Sequence, residues 1–288
     1  MAILNLQPPI EKNGNQPARV TDVKRTHIAV LGAILIVCVL ALTLLLQPAA
    51  RTLQQATANA VHYCENLQEP DALLMLDVMH RRFGIEVFAN SLQRYDQILA
   101  QLPLEQAPHL RVFRRIADPY NPILEEDWQA ISTDIDFFIV PALYCDRQKL
   151  PDSYPDTLNR AANEGGLKLT HTLLACIWIQ ENGSEESLPE GFLGNVYRAT
   201  AALIDSDSVV NEIELEAAAF LYLAGQGALV NETFVERVIA VQNDDGGWPR
   251  SSDVRGNSYW HSTVLGLFVL LHAKSPASSY TPMLPYVS

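Results

Sequence analysis

Four segments of the chain read as helices without a polar face: 134–145 (DIDFFIVPALYC), 169–180 (LTHTLLACIWIQ), 214–225 (ELEAAAFLYLAG) and 259–272 (YWHSTVLGLFVLLH). A helix that is apolar all round has to be covered on every side. Between them lie helices with a single apolar stripe, at 189–204 and 231–242, which can do the covering from outside. This alternation predicts an all-α fold: a stack of helical hairpins with an inner and an outer layer.

The chain can fill such a core. It has 288 residues, of which 48% are hydrophobic and 18% charged. Its formal net charge of −13 disfavours nucleic acid as a partner. No basic patch with interleaved aromatics occurs, nor a Gly-rich loop followed by Lys and Ser/Thr.

One stretch does not belong to a water-facing fold. Residues 27–46, HIAVLGAILIVCVLALTLLL, carry no formal charge apart from one His27 could gain. At ~1.5 Å per residue the run spans a hydrocarbon core of ~30 Å. It exceeds the ~7–15 residues of a cleaved signal, and the small-residue run ATANA, Ala56 to Ala60, lies far downstream. The expectation is a flexible cytoplasmic tail over 1–25 and a transmembrane helix over 26–47, with the lipid bilayer as partner. Arg19, Lys24 and Arg25 precede the span and Arg51 alone follows closely, so the C-terminal part is expected outside the cytoplasm, periplasmic in a bacterium. Beyond it the reading is a helical lead-in over 48–124, helical repeats over 125–275 and a tail over 276–288. Cys64, Cys145 and Cys176 leave room for one disulfide and one thiol.

The repeats carry an internal rhythm. Gly166 to His171 and Gly256 to His261 share a Gly and a His five apart, with Thr172 or Ser262 following the His. The two histidines are ninety residues apart and Glu216 stands midway, an even step of 45. In a two-layer stack the first turns of the inner helices converge on one end of a central cavity. Asp136, His171, Glu216 and His261 all fall there. Two imidazoles and two carboxylates could hold a divalent metal such as zinc at ~2.0–2.2 Å, or serve as a general acid–base pair. The competing reading is structural, because Thr170, Thr172, Ser262 and Thr263 beside the histidines offer ordinary hydrogen bonds.

Gln242 to Trp248, QNDDGGW, fits the pattern Q-x-x-x-G-x-W. Together with the inner-helix start at Ser258 to Thr263 it resembles a hairpin of the terpene cyclase/protein prenyltransferase α/α-toroid superfamily. The resemblance covers 211–272 well and 134–204 faintly. It implies one α/α-toroid-like barrel, complete or incomplete. Gln242, Gly246, Gly247 and Trp248 would be its structural clasp, the two glycines allowing backbone angles that a side chain would forbid, a positive φ at Gly247 among them. The chain departs from the cyclase acid motif D-x-D-D, since Phe137 follows Asp134-Ile-Asp136 where the last Asp would stand, and it lacks D-D-x-x-D. Cys145-Asp146 does not have the zinc-ligand spacing of the prenyltransferases. The reading that results is an anchored, exported toroid-like domain that binds or processes a small-molecule, lipid or protein ligand in its cavity. The alternatives are a non-catalytic scaffold of the same fold and a degenerate cyclase or transferase relative acting on lipid.

Overall fold

A computed structural model describes residues 51–131, 133–205, 209–252, 256–275 and 280–285. The tail 1–25 and the expected transmembrane segment 26–47 lie outside them. Among the described residues no helix is long and apolar enough to cross a membrane.

The described chain is helical, with one isolated bridge, between Asn211 and Ser251, in place of any sheet. The α-helices run in order as α1 (Leu53–Cys64), α2 (Pro70–Phe83), α3 (Ser91–Gln101), α4 (Pro108–Phe113), α5 (Glu125–Gln129) and α6 (Asp136–Leu143). Then follow α7 (Tyr154–Glu164), α8 (Gly166–Glu181), α9 (Phe192–Ala201), α10 (Glu212–Leu223), α11 (Glu232–Ala240) and α12 (Trp260–Lys274). Short 3-10 turns punctuate the connections.

The all-round-apolar segments form the inner helices α6, α8, α10 and α12. Every residue of α12 from Ser262 to His272 is buried, as are Leu173 to Ile179 of α8. The helices between them bury one stripe only: Tyr154, Leu158 and Ala161 in α7, Phe192, Val196 and Thr200 in α9, Phe234, Val235 and Val238 in α11. Neighbours pack as α6 on α8, α8 on α10 and α10 on α12, with α7, α9 and α11 against their outer sides.

The segment expected as a lead-in does not stand apart. Residues 51–288 form one unit. α1 and α2 both pack against α12, α3 covers α2, and α5 covers α4. The last helix therefore meets the first pair.

The Q-x-x-x-G-x-W turn joins that closure. Gln242 Nε2 donates to the backbone of Ala56 in α1 at 2.8 Å and to Gly246 at 2.9 Å. Arg51 donates to the Gln242 carbonyl and to Asp244. Trp248 is buried; its indole N–H donates to the Val238 carbonyl at 2.7 Å and its backbone N–H to Thr263 Oγ1 at 3.0 Å. The positive φ falls on Gly246 (+92°), not on Gly247. A Cβ on Gly246 would strike the Asn59 backbone. Gly247 is needed for a different reason: a Cβ there would strike Ser258 and approach Thr263 Oγ1 to 2.8 Å.

The far end of the inner helices is covered by residues 280–285, part of the expected tail. Glu181 accepts from the backbone N–H groups of Met283 at 2.7 Å and Leu284 at 2.8 Å, and both side chains are buried. Cys64, Cys145 and Cys176, for which the sequence left a disulfide open, are free thiols.

Candidate functional site

The first turns of the inner helices share one mouth. Asp71 is the second residue of α2, His109 the second of α4, Asp136 the first of α6 and His261 the second of α12; His171 lies one turn further into α8. All five line a single cavity of about 180 Å³. Most of its lining is apolar, including Leu74, Phe113, Ile139, Leu174, Phe220, Val264 and Phe268. Trp178 also lines it, and its indole N–H donates to the Met283 sulfur at 3.4 Å. A cavity of this size accommodates a molecule about as large as a single aromatic ring.

His171, His261 and Asp136 all line this cavity. Glu216 is placed differently. It is fully buried behind His171 and accepts from His171 Nδ1 and from the Thr170 hydroxyl, each at 2.9 Å. His171 Nδ1 also lies 2.9 Å from the Leu167 carbonyl, so one N–H is shared by two acceptors. His261 repeats the arrangement with a residue that the sequence reading missed: its Nδ1 lies 2.6 Å from Oε1 of Glu212. Glu212 and Glu216 stand one turn apart on α10 and face the helices on either side. Each imidazole has its Nδ1 bound to a carboxylate, and its Nε2 has no hydrogen-bond partner among the described residues.

His109 and Asp71 were also missed. His109 Nε2 lies 3.3 Å from Asp71 Oδ1 and its Nδ1 lies 3.5 Å from Asp136 Oδ2. A carboxylate only accepts, so both ring nitrogens act as donors and the ring is an imidazolium. Burial opposes that charge, but the hydrogen bonds and charges of Asp136 and Asp71 prevail and push the His109 pKa up to about 9. Burial likewise works against ionisation of Asp136. Bonds from His109 and Thr133 nevertheless hold its carboxyl below the ordinary value. At His171 burial is outweighed by the Glu216 hydrogen bond and charge, and the pKa is raised.

The expected metal set does not form. Among the described residues no group of three or more His, Cys, Asp or Glu is arranged to hold a metal ion. The reason is the pairing itself. Glu216 is turned to His171 and Thr170, and Asp136 to His109, so the carboxylates orient imidazoles instead of meeting them at a common point.

The two other histidines of these helices serve packing. His80 Nδ1 lies 3.2 Å from the Ile85 carbonyl. His272 is buried, donates from Nδ1 to the Phe268 carbonyl at 2.8 Å and accepts from Arg82 Nε at 3.2 Å. Burial pulls its pKa down to about 3, so the ring is neutral.

What the lining offers chemically is narrow. It contains no Ser, Thr, Cys, Lys, Arg or Tyr among the described residues; its proton-active groups are three histidines and two aspartates. Comparison with protein families, with curated proteins and with solved structures finds no match.

Proposed function

We propose that residues 51–288 form an α/α-toroid-like domain that binds a small, largely apolar molecule in its central cavity and holds the molecule's polar end against the imidazole rim. One observation carries this reading: His109, His171 and His261, from three helices far apart in sequence, line the same largely apolar cavity. Fixing three imidazoles at the mouth of an apolar hole orients a ligand with one wet and one dry end. The alternation of inner and outer helices, and the clasp made by Gln242 and Trp248, support kinship with the terpene cyclase/protein prenyltransferase architecture. The cyclase and transferase chemistries themselves find no support, since Asp136 is paired to His109 and no metal-holding group forms among the described residues.

Anchoring and export are part of the same proposal and rest on segment 26–47 and its basic N-terminal flank. A pure docking scaffold accounts less well for a hollow centre lined with paired imidazoles. The test is a titration of the full-length chain with 2-phenylethanol, read by the fluorescence of Trp178 and Trp260, which line the cavity. A saturable change is expected, weakened in His171→Ala and His261→Ala. No saturable change, or equal affinity in a folded Val264→Phe variant that fills the cavity, would end the proposal.

A further inference from the structure

Two imidazoles with carboxylate-bound Nδ1 atoms and open Nε2 atoms face a cavity that holds no hydroxyl, thiol or amine nucleophile among the described residues. Proton transfer is the chemistry best suited to such imidazoles. We propose that His171 and His261 are a catalytic acid–base pair that shifts a proton at the carbon next to a carbonyl in a small apolar ketone or aldehyde. This rests on the reading that the cavity binds a small molecule.

The roles follow from geometry. Held by Glu212 at Nδ1, His261 keeps Nε2 open as the ring nitrogen that acts as the base. It takes the α-proton; the C–H bond breaks and its electrons form the C=C bond while the carbonyl π electrons move to oxygen. His171, beside the fully buried Glu216, is the charged partner, and its Nε2–H passes a proton to that oxygen. The product is a neutral enol, His261 is now the imidazolium and His171 the neutral ring. Reversal returns a proton to the same carbon, giving exchange, or to the γ-carbon of an unsaturated substrate, giving double-bond migration. No electron or atom leaves the system, and no cofactor is consumed.

The carboxylates make the exchange of roles workable. Each stabilises its imidazolium while fixing the tautomer, as a base held by a third group requires. Standing one turn apart on α10, Glu212 and Glu216 keep the two dyads adjacent. The apolar walls exclude competing water, which strengthens each charge interaction inside.

Phenylacetone is the probe, since its ring matches the cavity and its benzylic protons are acidic enough to exchange. Binding to the full-length chain is read by tryptophan fluorescence, and loss of the benzylic proton signal in D₂O is followed by NMR. Saturable binding with exchange at least about a hundredfold faster than in buffer is expected. His261→Ala and His171→Ala should each abolish the acceleration. Glu212→Gln should slow exchange and shift its pH profile while binding persists, which a merely structural Glu212 would not do. Binding without acceleration, or acceleration that survives in both histidine variants, overturns the proposal and leaves the binding reading intact. Absence of binding overturns both.

Discussion

His171 Nδ1 lies 2.9 Å from Oε1 of Glu216, a carboxylate with no exposed surface. The second carboxylate oxygen, Oε2, has no hydrogen-bond partner. A buried charge with one side uncompensated is tolerated only where an opposite charge stands against it. Replacing Glu216 by Gln keeps the shape and removes the charge. The His171 pKa should then fall, because burial, which already opposes the imidazolium, is no longer outweighed. Histidine ring resonances followed through a pH titration would report this. Stability should drop by about 1–3 kcal/mol, the scale of a hydrogen bond to a charged group. A His171 titration unmoved by the substitution would show that the pair does not set its protonation.

The rim also predicts how stability responds to base. In the folded chain Asp71 and Asp136 raise the pKa of His109 to about 9. Its contribution is fully present below the unfolded value of ~6.5 and is lost as pH rises through about 9. His171, raised by Glu216, acts in the same direction. His109 and Asp71 are about half exposed at the side chain, so solvent screening reduces the His109 share to at most about 1 kcal/mol. Denaturant midpoints measured from pH 7.5 to 10, above the range in which His272 matters, should decline, and Asp71→Asn should flatten the decline. A wild-type curve that is level or rising across that window would remove the imidazolium from the folded state.

What the sequence made legible was periodicity. The inner helices α8, α10 and α12 could be read because no face of them is polar, and the even step from His171 through Glu216 to His261 followed from their repetition. His109 left no such trace. It sits in the six-residue helix α4 among prolines and arginines, where no apolar run marks an inner helix. A signal did exist: Asp71 and His109 each follow a proline as the second residue of a helix, the register that His261 holds on α12. Glu212 was overlooked for the opposite reason, since Glu212, Glu214 and Glu216 look alike in sequence. Packing separates them: Glu212 faces His261, Glu216 faces His171, and Glu214 closes the capping box with Asn211. The metal expectation failed at the same point, because a list of ligand types does not say which carboxylate will turn toward which imidazole.

Acid should destabilise the chain through a different residue. The His272 pKa is depressed to about 3 by burial, while in the unfolded chain it returns to ~6.5. The unfolded state therefore binds the proton first, and stability is lost as pH falls below ~6.5. Between pH 6.5 and pH 5 the loss from this group is about 1–2 kcal/mol, the slope reaching ~1.36 kcal/mol per unit only below pH 6.5. His272→Gln retains an acceptor for Arg82 Nε and does not titrate. Its urea midpoint should change less than the wild type's over that interval, and equal acid sensitivity in the two proteins would contradict a neutral buried His272.

The clasp offers the most direct test of the closed arrangement. Trp248 packs on Gly266 of α12 so closely that a Cβ on the glycine would lie 2.8 Å from the indole. Its ring nitrogen is tied to α11 through Val238, and its backbone to α12 through Thr263. Trp248→Ala should cost ~3–5 kcal/mol, the range for losing a core aromatic. Gly266→Ala should also destabilise, since the indole has no room to retreat. Gln242→Ala removes a different element: the bonds to Ala56 and Gly246 are lost while the apolar core stays whole. The Gly246 carbonyl is left unpaired, at ~1–3 kcal/mol, and the tie to α1 through Ala56 is lost. The three variants should also differ in where they loosen the structure. Hydrogen exchange in Gln242→Ala should rise first in α1, the helix that the glutamine holds, whereas Trp248→Ala should expose α11 and α12 together. Faster exchange confined to α11 and α12 in both variants would mean that the turn secures its own hairpin and does not bind the last helix pair to the first.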